Sequence, residues 1–383
     1  MRLSMDKRIK ENSQNCVGCA NCENICPSHA IKMRYDEYGF LSPHIDEKKC
    51  VNCGRCVSVC QMYCTYKTQS FKPYGYIAIS KDRMLYHNAA SGGIFSTIAA
   101  DFLAKYKNGS VVGAAYEDGK ISHIIIKGRN EIIKLQNSKY VQSDMNSIVN
   151  NVKTLLDMKN NVLFSGTPCQ VYALKLFLKK EYDNLFTMDL VCHGVPSPCF
   201  LEHDLKQYSV NVKELKFRYK RKLLKSKSGF ILSFSSDGKR KYYLSNRDLY
   251  YALFMKNLSF RKSCYHCKFA NLNRVGDITI GDCDSYAEYP MFHSKEATSS
   301  VIINNKKGEY LWNISNNIEC SDLDIIKEAE INTQLSQPSQ EPDEWKEIMD
   351  DIQKGNFAKL KKKYSKPNNY KAKLLLLKNM FLP

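Results

Sequence analysis

Eight cysteines near the start of the chain constrain its fold more than any other feature. The spacing C-x2-C-x2-C-x3-C occurs twice, first at Cys16, Cys19, Cys22 and Cys26 and again at Cys50, Cys53, Cys56 and Cys60. In such a motif three thiolates bind one [4Fe-4S] cluster, and the fourth thiolate binds the other cluster. We therefore predict one ligand set of Cys16, Cys19, Cys22 and Cys60, and a second set of Cys50, Cys53, Cys56 and Cys26.

Zinc sites are the alternative interpretation of these cysteines, because C-x2-C pairs also hold tetrahedral zinc. Zinc needs four ligands per site, however, and does not explain two runs of four cysteines with identical spacing. Gly18 and Gly54 each lie between two ligands, where a side chain would crowd a cluster. The sequence predicts an α+β, ferredoxin-like domain with two [4Fe-4S] clusters over residues 1–66.

Composition favours metal binding over disulfides. The chain has 16 cysteines among 383 residues, and its start lacks the apolar segment of a secretory signal. We expect a cytoplasmic protein, in which thiols stay reduced. The formal net charge is +18, but the basic residues are scattered, with local runs only at 216–227 and 354–373, and no nucleic-acid-binding motif accompanies them. Nucleic acid is therefore not an expected partner, whereas an acidic protein, an anionic cofactor or a membrane surface remains open.

After residue 72 the pattern changes to apolar, β-branched runs that alternate with amphipathic stretches. The runs predict strands at 74–79, 111–116, 123–128, 161–166 and 185–192. The intervening stretches predict helices at 93–106, 145–158, 170–180 and 198–208. Such alternation is typical of an α/β domain with a largely parallel sheet, which we place at residues 72–335.

Two loops between a predicted strand and a predicted helix carry candidate chemistry. They are FSGTPCQ at 164–170 and VCHG at 191–194. Backbone N–H groups at such a turn can bind an anion or a flavin edge, although a plain turn with a buried cysteine is the alternative. The pair Cys264 and Cys267 could complete a four-thiolate site with the cysteines of these loops. A small zinc site or two reduced thiols would explain that pair equally well.

Five ordered blocks of the sequence resemble the coenzyme F420 hydrogenase/dehydrogenase beta-subunit family over nearly the whole chain. The blocks are the two cysteine motifs of residues 16–60, ASGGIFSTIAA at 90–100, GTPCQVYAL at 166–174, DLVCHGVPSP at 189–198 and RKSCYHCKFANLNRVGDITIGD at 261–282. The resemblance implies FAD in the α/β domain beside a [4Fe-4S] cluster. It also implies two-electron exchange between the flavin and a soluble partner such as a deazaflavin.

The resemblance suggests which residues hold these groups. Candidate cofactor-binding residues are Ser91, Gly92, Gly93, Gly166, Thr167, Gln170 and Gly194. Candidate ligands of a third cluster are Cys169, Cys192, Cys264 and Cys267, with Cys283 as the first substitute. From the residues alone, Ser91 and its two glycines could equally form a helix cap and turn.

His193 is the candidate catalytic residue, since an imidazole can hydrogen-bond a flavin or a substrate, although it could equally be a structural loop residue. Lys81, Arg261 and Lys262 could balance the charge of phosphates or of reduced flavin. The block that ends at residue 282 continues with Cys283 rather than with an aromatic residue, so partner choice can differ from that of the family.

The function predicted from these features is that of an iron–sulfur flavoprotein oxidoreductase. Its small-molecule partner would be a deazaflavin-type coenzyme or a sugar-linked substrate of glycan biosynthesis, and a protein would be its redox partner. A non-catalytic electron-relay subunit of a larger redox complex is the main alternative. A zinc-stabilised interaction protein is the third possibility, which the cysteine spacing disfavours.

The end of the chain has a composition of its own. Residues 336–383 begin polar and become basic, which predicts a linker and a helical tail. The run of leucines at 374–377 is expected to pack on the α/β domain, with peripheral membrane contact as the alternative. The sequence assigns no role to Cys199 or Cys320, and Cys64 is expected to be structural.

Overall fold

The computed structural model describes residues 7–11, 13–66, 70–208, 212–220, 230–236, 238–295, 297–366 and 374. Residues 7–66 form what we call the ferredoxin module. Its elements are α1 (Asn21–Ile25), β1 (Ile31–Tyr35), β2 (Leu41–Ile45) and α2 (Arg55–Ser58). The two strands form an antiparallel hairpin, so the predicted α+β ferredoxin-like domain is confirmed.

Gly18 shows why this module needs glycine between two cysteines. Its φ angle is 67°, a left-handed conformation that costs other residues about 1–2 kcal/mol. A Cβ at this position would lie 2.2 Å from Nε2 of Gln142 and 2.7 Å from the carbonyl oxygen of Leu41. Glycine therefore allows the first cysteine loop to approach the rest of the protein closely.

The remainder of the chain, which we call the body, is built on an eight-stranded sheet. Its strands are β3 (Tyr74–Ser80), β4 (Ser110–Glu117), β5 (Lys120–Ile126), β6 (Val162–Gly166), β7 (Leu185–Leu190), β11 (Ile278–Asp282), β12 (Ser299–Ile303) and β13 (Ile318–Leu323). The order across the sheet is β13-β3-β12-β11-β7-β6-β4-β5. The central strands β4, β6, β7 and β11 are parallel, and the outer pairs on both sides are antiparallel.

Three further strands form a small antiparallel sheet in the order β10-β9-β8. They are β8 (Glu214–Lys216), β9 (Ile231–Ser236) and β10 (Lys239–Leu244). The helices of the body are α3 (Arg83–Asn88), α4 (Ile94–Lys105), α5 (Ile132–Leu135), α6 (Ile148–Asp157), α7 (Pro168–Leu178), α8 (Pro198–Lys206), α9 (Leu249–Met255), α10 (Lys262–Tyr265), α11 (Lys306–Asn313), α12 (Ile325–Ile331), α13 (Trp345–Gln353) and α14 (Phe357–Tyr364). Short 3-10 helices lie at Arg129–Glu131, Tyr286–Glu288, Pro290–Phe292 and Thr333–Leu335.

The central strands read as continuous apolar runs because helices cover both faces of the sheet. Every residue of β6 is buried. One face packs against α4 and α11, with Ile98 and Leu311 in the core. The other face packs against α6 and α7, with Val152 and Leu174 in the core. The predicted α/β fold is confirmed, and the expected parallel arrangement describes the central part of the sheet.

The polar and basic end of the chain forms the helices α13 and α14, which pack on the body. Trp345 and Leu360 are buried in a core with residues of α8 and α9. The indole N–H of Trp345 donates a hydrogen bond of 2.8 Å to the carbonyl oxygen of Phe260. The leucine run at 374–377, which we expected to pack on the α/β domain, lies outside the described residues except for Leu374. Within the described ranges, no helix has the length and apolar character needed to cross a membrane.

Buried polar side chains tie the ferredoxin module to the body. The side-chain amide of Asn21 donates to the carbonyl oxygen of Ala173 at 2.7 Å. The side-chain oxygen of Gln142 accepts the N–H of Leu41 at 3.1 Å. The guanidinium of Arg261, which also lines the cavity described below, donates to the carbonyl oxygen of Leu41 at 2.9 Å and so helps to join the two parts.

Candidate functional site

A cavity of about 850 Å³ opens at the carboxyl ends of the central parallel strands. Its walls include the loops that follow β6, β7 and β11 and the start of α4. Ligands of open α/β sheets bind at this edge, because the loops beyond parallel strand ends leave a crevice there. The fold therefore collects the two predicted strand-to-helix loops at one site.

Most of the predicted cofactor-binding residues line this cavity. They are Ser91, Gly93, Gly166, Thr167, Gln170 and Gly194. Gly92 does not line the cavity. Its N–H donates to the hydroxyl of Ser299 at 3.0 Å. A Cβ on Gly92 would meet the carbonyl oxygen of Ala78 at 2.4 Å, so glycine is needed here for close packing of the chain against β3.

The start of α4 presents backbone N–H groups to the cavity. Gly93 has a φ angle of 82° and turns the chain into this twelve-residue helix, which no described side chain caps. The hydroxyl of Ser91 donates to the carbonyl oxygen of Thr298 at 2.7 Å and holds the turn in place. The unsatisfied N–H groups and the helix dipole together favour an anionic group at this point.

Thr167 and Gln170 both take part in capping α7. The side-chain oxygen of Gln170 accepts from the N–H of Thr167 at 2.9 Å and from its hydroxyl at 3.0 Å. The Thr167 hydroxyl also lies 3.1 Å from the sulfur of Cys169. These two residues therefore fix the loop that carries Cys169, in addition to lining the cavity.

The four candidate cysteines of the body lie together in the cavity wall. This body set consists of Cys169, Cys192, Cys264 and Cys267. Burial raises the pKa of Cys169 to about 12, with a further contribution from Cys267. Burial followed by the thiols of Cys169 and Cys267 raises the pKa of Cys192 to about 12. The thiol of Cys264 is raised in pKa in the same way by burial and by the other three cysteines.

If all four cysteines of the body set were thiolates, their negative charges would repel one another. Four thiolates in one buried place are unstable unless a strongly cationic group compensates their charge, as a bound metal does. No three His, Cys, Asp or Glu side chains of the described residues converge on a point that could hold a single metal ion. Thiolates bind both zinc and [4Fe-4S] clusters, and either would supply such a positive charge.

The first predicted ligand set of the ferredoxin module comes together in the same way, and we call it the proximal set. It consists of Cys16, Cys19, Cys22 and Cys60. Burial raises the pKa of Cys19 to about 12, and Cys16 and Cys60 add to the increase. The thiol of Cys22 is raised in pKa by burial and by Cys19, Cys16 and Cys60.

The second predicted set, which we call the distal set, lies nearer the surface. Its members are Cys50, Cys53, Cys56 and Cys26. Cys56 is buried, whereas Cys53 is exposed. The sulfur of Cys26 accepts the N–H of Ala30 at 3.3 Å, and such hydrogen bonds lower the pKa of Cys26 although burial opposes the change. Cys26 packs with Cys50 and Cys56 in one small core, which also contains Cys22 and Cys60 of the proximal set.

The proximal set is next to the body set. The thiol of Cys19 contributes to the raised pKa of Cys169, although burial is the main cause. The side-chain amide of Gln61 donates to the carbonyl oxygen of Cys169 at 3.0 Å. The three sets therefore follow one another from the exposed Cys53 to the cavity, in the order distal, proximal, body.

His193 lies at the cavity with its side chain exposed. Desolvation by the surrounding protein lowers the pKa of its imidazole, and Asp282 opposes the change. The hydroxyl of Ser339 donates to the carbonyl oxygen of His193 at 2.7 Å and fixes the loop from the C-terminal side. Asp284 also lines the cavity, and burial together with Asp282 and Glu328 raises its pKa to about 6.

Arg218, Phe230 and Lys139 belong to the site but to none of the five sequence blocks. Arg218 forms an ion pair with Asp282, and both line the cavity. The ring of Phe230 lies 4.4 Å from the guanidinium of Arg218. Lys139 lines the cavity as well, and burial lowers its pKa to about 7. Arg218 lay in a basic run of the sequence, so only the run could have indicated it.

Other predicted residues lie elsewhere. Lys81 and Lys262 do not line the cavity, and Lys262 pairs with Glu341. Cys283 is buried beside Glu328, whose carboxylate accepts from its thiol at 3.6 Å. Because Glu328 rather than another thiol faces Cys283, this cysteine is a poor substitute for any member of the body set.

Comparison with known proteins agrees with the two parts of the chain. Residues 15–64 match the family model of the 4Fe-4S dicluster domain. Residues 159–325 match the family model of the C terminus of the coenzyme F420 hydrogenase/dehydrogenase beta subunit. The resemblance predicted from the sequence is confirmed, and the chain is an iron–sulfur protein related to the beta subunit of that redox family.

A chain from the F420-reducing [NiFe] hydrogenase complex of Methanosarcina barkeri is among the similar solved structures. It is 16% identical to this chain, with a TM-score of 0.47, and the likeness covers 73% of this chain and 98% of that one. Comparison with curated proteins gave no match.

Proposed function

We propose that this chain, an iron–sulfur protein related to the coenzyme F420 hydrogenase/dehydrogenase beta subunit, is an FAD-dependent oxidoreductase. The proximal and distal sets would hold two [4Fe-4S] clusters, and the body set would hold a third. FAD would occupy the cavity and exchange electrons with a small molecule. The cytoplasm suits such a protein, because its thiols stay reduced there.

One observation carries the proposal. Four cysteines from three separate segments of the sequence meet in the wall of the cavity that six of the seven predicted cofactor-binding residues also line. The proximal set reaches the same wall through Cys19 and Cys169. The three cysteine sets form a series that ends at a cavity large enough for a cofactor. This arrangement supports electron transfer to a molecule bound in the cavity.

The residues of the cavity fit FAD chemically. Three buried amide oxygens that line it have no hydrogen-bond partner within the described part of the chain, and they belong to Gln61, Asn332 and Gln334. Each unsatisfied buried acceptor costs about 1–3 kcal/mol, which a bound donor would recover once the amide turns towards the cavity. The hydroxyl and ring N–H groups of FAD are such donors. The start of α4 and the guanidinium of Arg218 suit its phosphates.

Specific residues would hold the cofactor. Gly93 and the first N–H groups of α4 would face the diphosphate, with Ser91 fixing the turn. The loops at Gly166 and Gly194 line the cavity and would face the ring. When bound, FAD would convert between one-electron and two-electron transfer. The protein would orient it beside the body set.

His193 is the proposed catalytic residue. Its imidazole is exposed at the cavity, where it could hold or release the proton that accompanies a two-electron transfer. The backbone hydrogen bond from Ser339 keeps its loop in one position. His193→Asn is therefore expected to lower turnover while the iron and flavin contents stay unchanged.

The small-molecule partner would be a deazaflavin-type coenzyme or a sugar-linked substrate of glycan biosynthesis. The name of the matched family makes a deazaflavin the first compound to test. The exposed Cys53 of the distal set marks the side from which a redox partner protein would deliver or collect single electrons.

Cofactor analysis after anaerobic purification tests the proposal. About twelve irons, an equal amount of acid-labile sulfide and one FAD per chain would support it. About eight irons without flavin would leave a non-catalytic relay subunit and would rule out the proposed activity. Zinc in place of iron would contradict both. Flavin-containing protein would then be assayed with deazaflavins and with sugar-linked compounds.

A further inference from the structure

Lys268 joins the proximal set to the body set. It directly follows Cys267, and its ammonium donates to the carbonyl oxygens of Gln61 at 2.7 Å and Cys64 at 3.0 Å. These carbonyls belong to the loop that begins after Cys60, a member of the proximal set. A single lysine next to a body-set cysteine therefore binds the loop next to a proximal-set cysteine.

The position of the ammonium group is fixed from several sides. It lies 4.9 Å from the ring centre of Tyr172 and 5.4 Å from that of Phe269. Partial burial lowers the pKa of Lys268, while the thiols of Cys64, Cys60 and Cys267 raise it. One positive charge is thus within electrostatic reach of both cysteine sets.

Gln61 closes this arrangement. Its carbonyl oxygen accepts from Lys268, and its side-chain amide donates to the carbonyl oxygen of Cys169. The carbonyl oxygen of Cys169 and the ammonium of Lys268, both in the body, are therefore linked to the same residue of the ferredoxin module. Such a closed set of contacts holds the separation of the two cysteine sets constant.

We propose that Lys268 is a positioning residue that also sets the reduction potentials of the proximal and body clusters. The inference rests on the proposed function, since it requires a cluster at each set. When one electron passes between the two sites, one cluster is oxidised and the other is reduced. A nearby positive charge stabilises the reduced, more negative state of each. Lys268 would thereby keep both potentials high enough to pass electrons in sequence.

Redox titration of purified variants, followed by electron paramagnetic resonance, tests this role. Lys268→Met keeps the apolar stem but removes the charge and both hydrogen bonds. At a fixed potential we expect the ratio of reduced to oxidised cluster to fall about fivefold at the proximal and body sites. Lys268→Arg should restore it. Lys179→Met is the matched control. The ammonium of Lys179 also binds the ferredoxin module, since it donates to the hydroxyl of Ser58 at 3.3 Å, but this contact lies on the exposed surface.

The potential of the distal cluster serves as an internal reference and should not change. None of its cysteines is among the thiols that raise the pKa of Lys268. Unchanged potentials in Lys268→Met with full iron content would overturn the inference and leave the proposed function intact. Loss of a cluster in Lys268→Met but not in Lys268→Arg would assign the lysine a structural role alone and would also overturn it. About eight irons in the unmodified protein would remove the body cluster and both proposals together.

Discussion

The side-chain amide of Gln61 donates a hydrogen bond of 3.0 Å to the carbonyl oxygen of Cys169. The two residues are 108 positions apart, and each lies beside or within a predicted cluster site. Gln61 follows Cys60 of the proximal set, and Cys169 belongs to the body set. The ferredoxin module is therefore attached to the body at the point where electrons would cross between them.

Cys264→Ser is expected to lower the iron content from about twelve to about eight per chain, because one of four ligands of the body cluster is lost. The flavin content should also fall, since the cluster site forms part of the cavity wall. Iron, sulfide and flavin analysis of anaerobically purified protein provides the measurement. Cys320→Ser is the control, because Cys320 is exposed on β13 and belongs to no set. Equal iron content in the two variants would refute the body cluster.

Gly93→Ala is expected to reduce the FAD content and leave the iron content unchanged. Gly93, at the start of α4, has a φ angle of 82°, and a Cβ on it would lie 3.1 Å from atoms of Ser80 in β3 and Tyr86 in α3. Strain of about 1–2 kcal/mol would displace the N–H groups proposed to face the diphosphate. Flavin released by denaturation and measured by absorbance gives the result.

Gly119→Ala provides the matched control for this substitution. Gly119 has nearly the same φ angle, 79°, but open space surrounds it in the turn between β4 and β5. The backbone strain should be comparable without any effect at the cavity. Similar flavin content in both variants would show that the start of α4 does not hold the cofactor.

Asn21→Leu is expected to lower the free energy of unfolding by about 2–3 kcal/mol. The amide of Asn21 donates to the carbonyl oxygens of Ala173 and Val59, and its loss leaves both buried acceptors unsatisfied. Chemical denaturation of the purified protein measures the change. Asn108→Leu is a suitable control, because the hydrogen bond of Asn108 to Lys159 is exposed. An equal effect of both substitutions would contradict a special role of Asn21 in joining the two parts.

His123 is expected to make the stability of the protein dependent on pH between about 6.5 and 4. The imidazole is buried beside the cavity, between the hydroxyl of Ser143 at 2.8 Å and the carbonyl oxygen of Ser165 at 3.2 Å. Burial lowers its pKa to about 4. Because the unfolded chain binds the proton more readily, the stabilising contribution is complete above pH 6.5 and is lost as pH falls through the folded pKa.

The corresponding loss is about 3 kcal/mol. In His123→Gln the loss of stability between about pH 6.5 and 4 should disappear. His87→Gln is the control, because His87 is exposed, and it should leave that loss unchanged. Denaturation midpoints at pH 7 and pH 4.5 provide the comparison. A variant that loses as much stability on acidification as the unmodified protein would show that His123 does not cause the change.

The strands and helices of the body could be predicted from the sequence because packing on both sides of the sheet requires apolar runs. Predicted strands at 161–166 and 185–192 correspond to β6 and β7. The order of strands could not be predicted in this way. The antiparallel side of the sheet joins β3 to β12 and β13, more than 200 residues later, and no local pattern encodes such a pairing.

The candidate site shows the same division. Cys264 and Cys267 are conspicuous as a C-x2-C pair, but the spacing alone could not decide between a cluster, zinc and reduced thiols. Their position beside Cys169 and Cys192 depends on tertiary structure. Asn332 and Gln334 could not be predicted as cavity residues from the sequence, since isolated amides form no motif. Their importance comes from burial in the cavity wall without a hydrogen-bond partner among the described residues.

Arg218→Met is expected to weaken the binding of FAD at least tenfold, because a charge-assisted hydrogen bond contributes about 1.5–3 kcal/mol. Its guanidinium is largely buried at the cavity and pairs with Asp282. Removal of the arginine would also leave the Asp282 carboxylate unpaired, and this negative charge would repel the phosphates. Arg218→Lys should retain part of the affinity, because it keeps the positive charge but not the planar group.

Titration of FAD into flavin-depleted protein, followed by flavin fluorescence, measures this affinity. Arg240→Met is the matched control. Arg240 lies on β10 of the small sheet, whose strand β8 ends two residues before Arg218. It also pairs with an acidic residue, Glu214, but it does not line the cavity. Its loss should leave the affinity for FAD unchanged. If both substitutions weaken FAD equally, the effect comes from the fold of the small sheet. If neither does, the phosphates bind elsewhere, and the cavity beside Arg218 is left for the small-molecule partner.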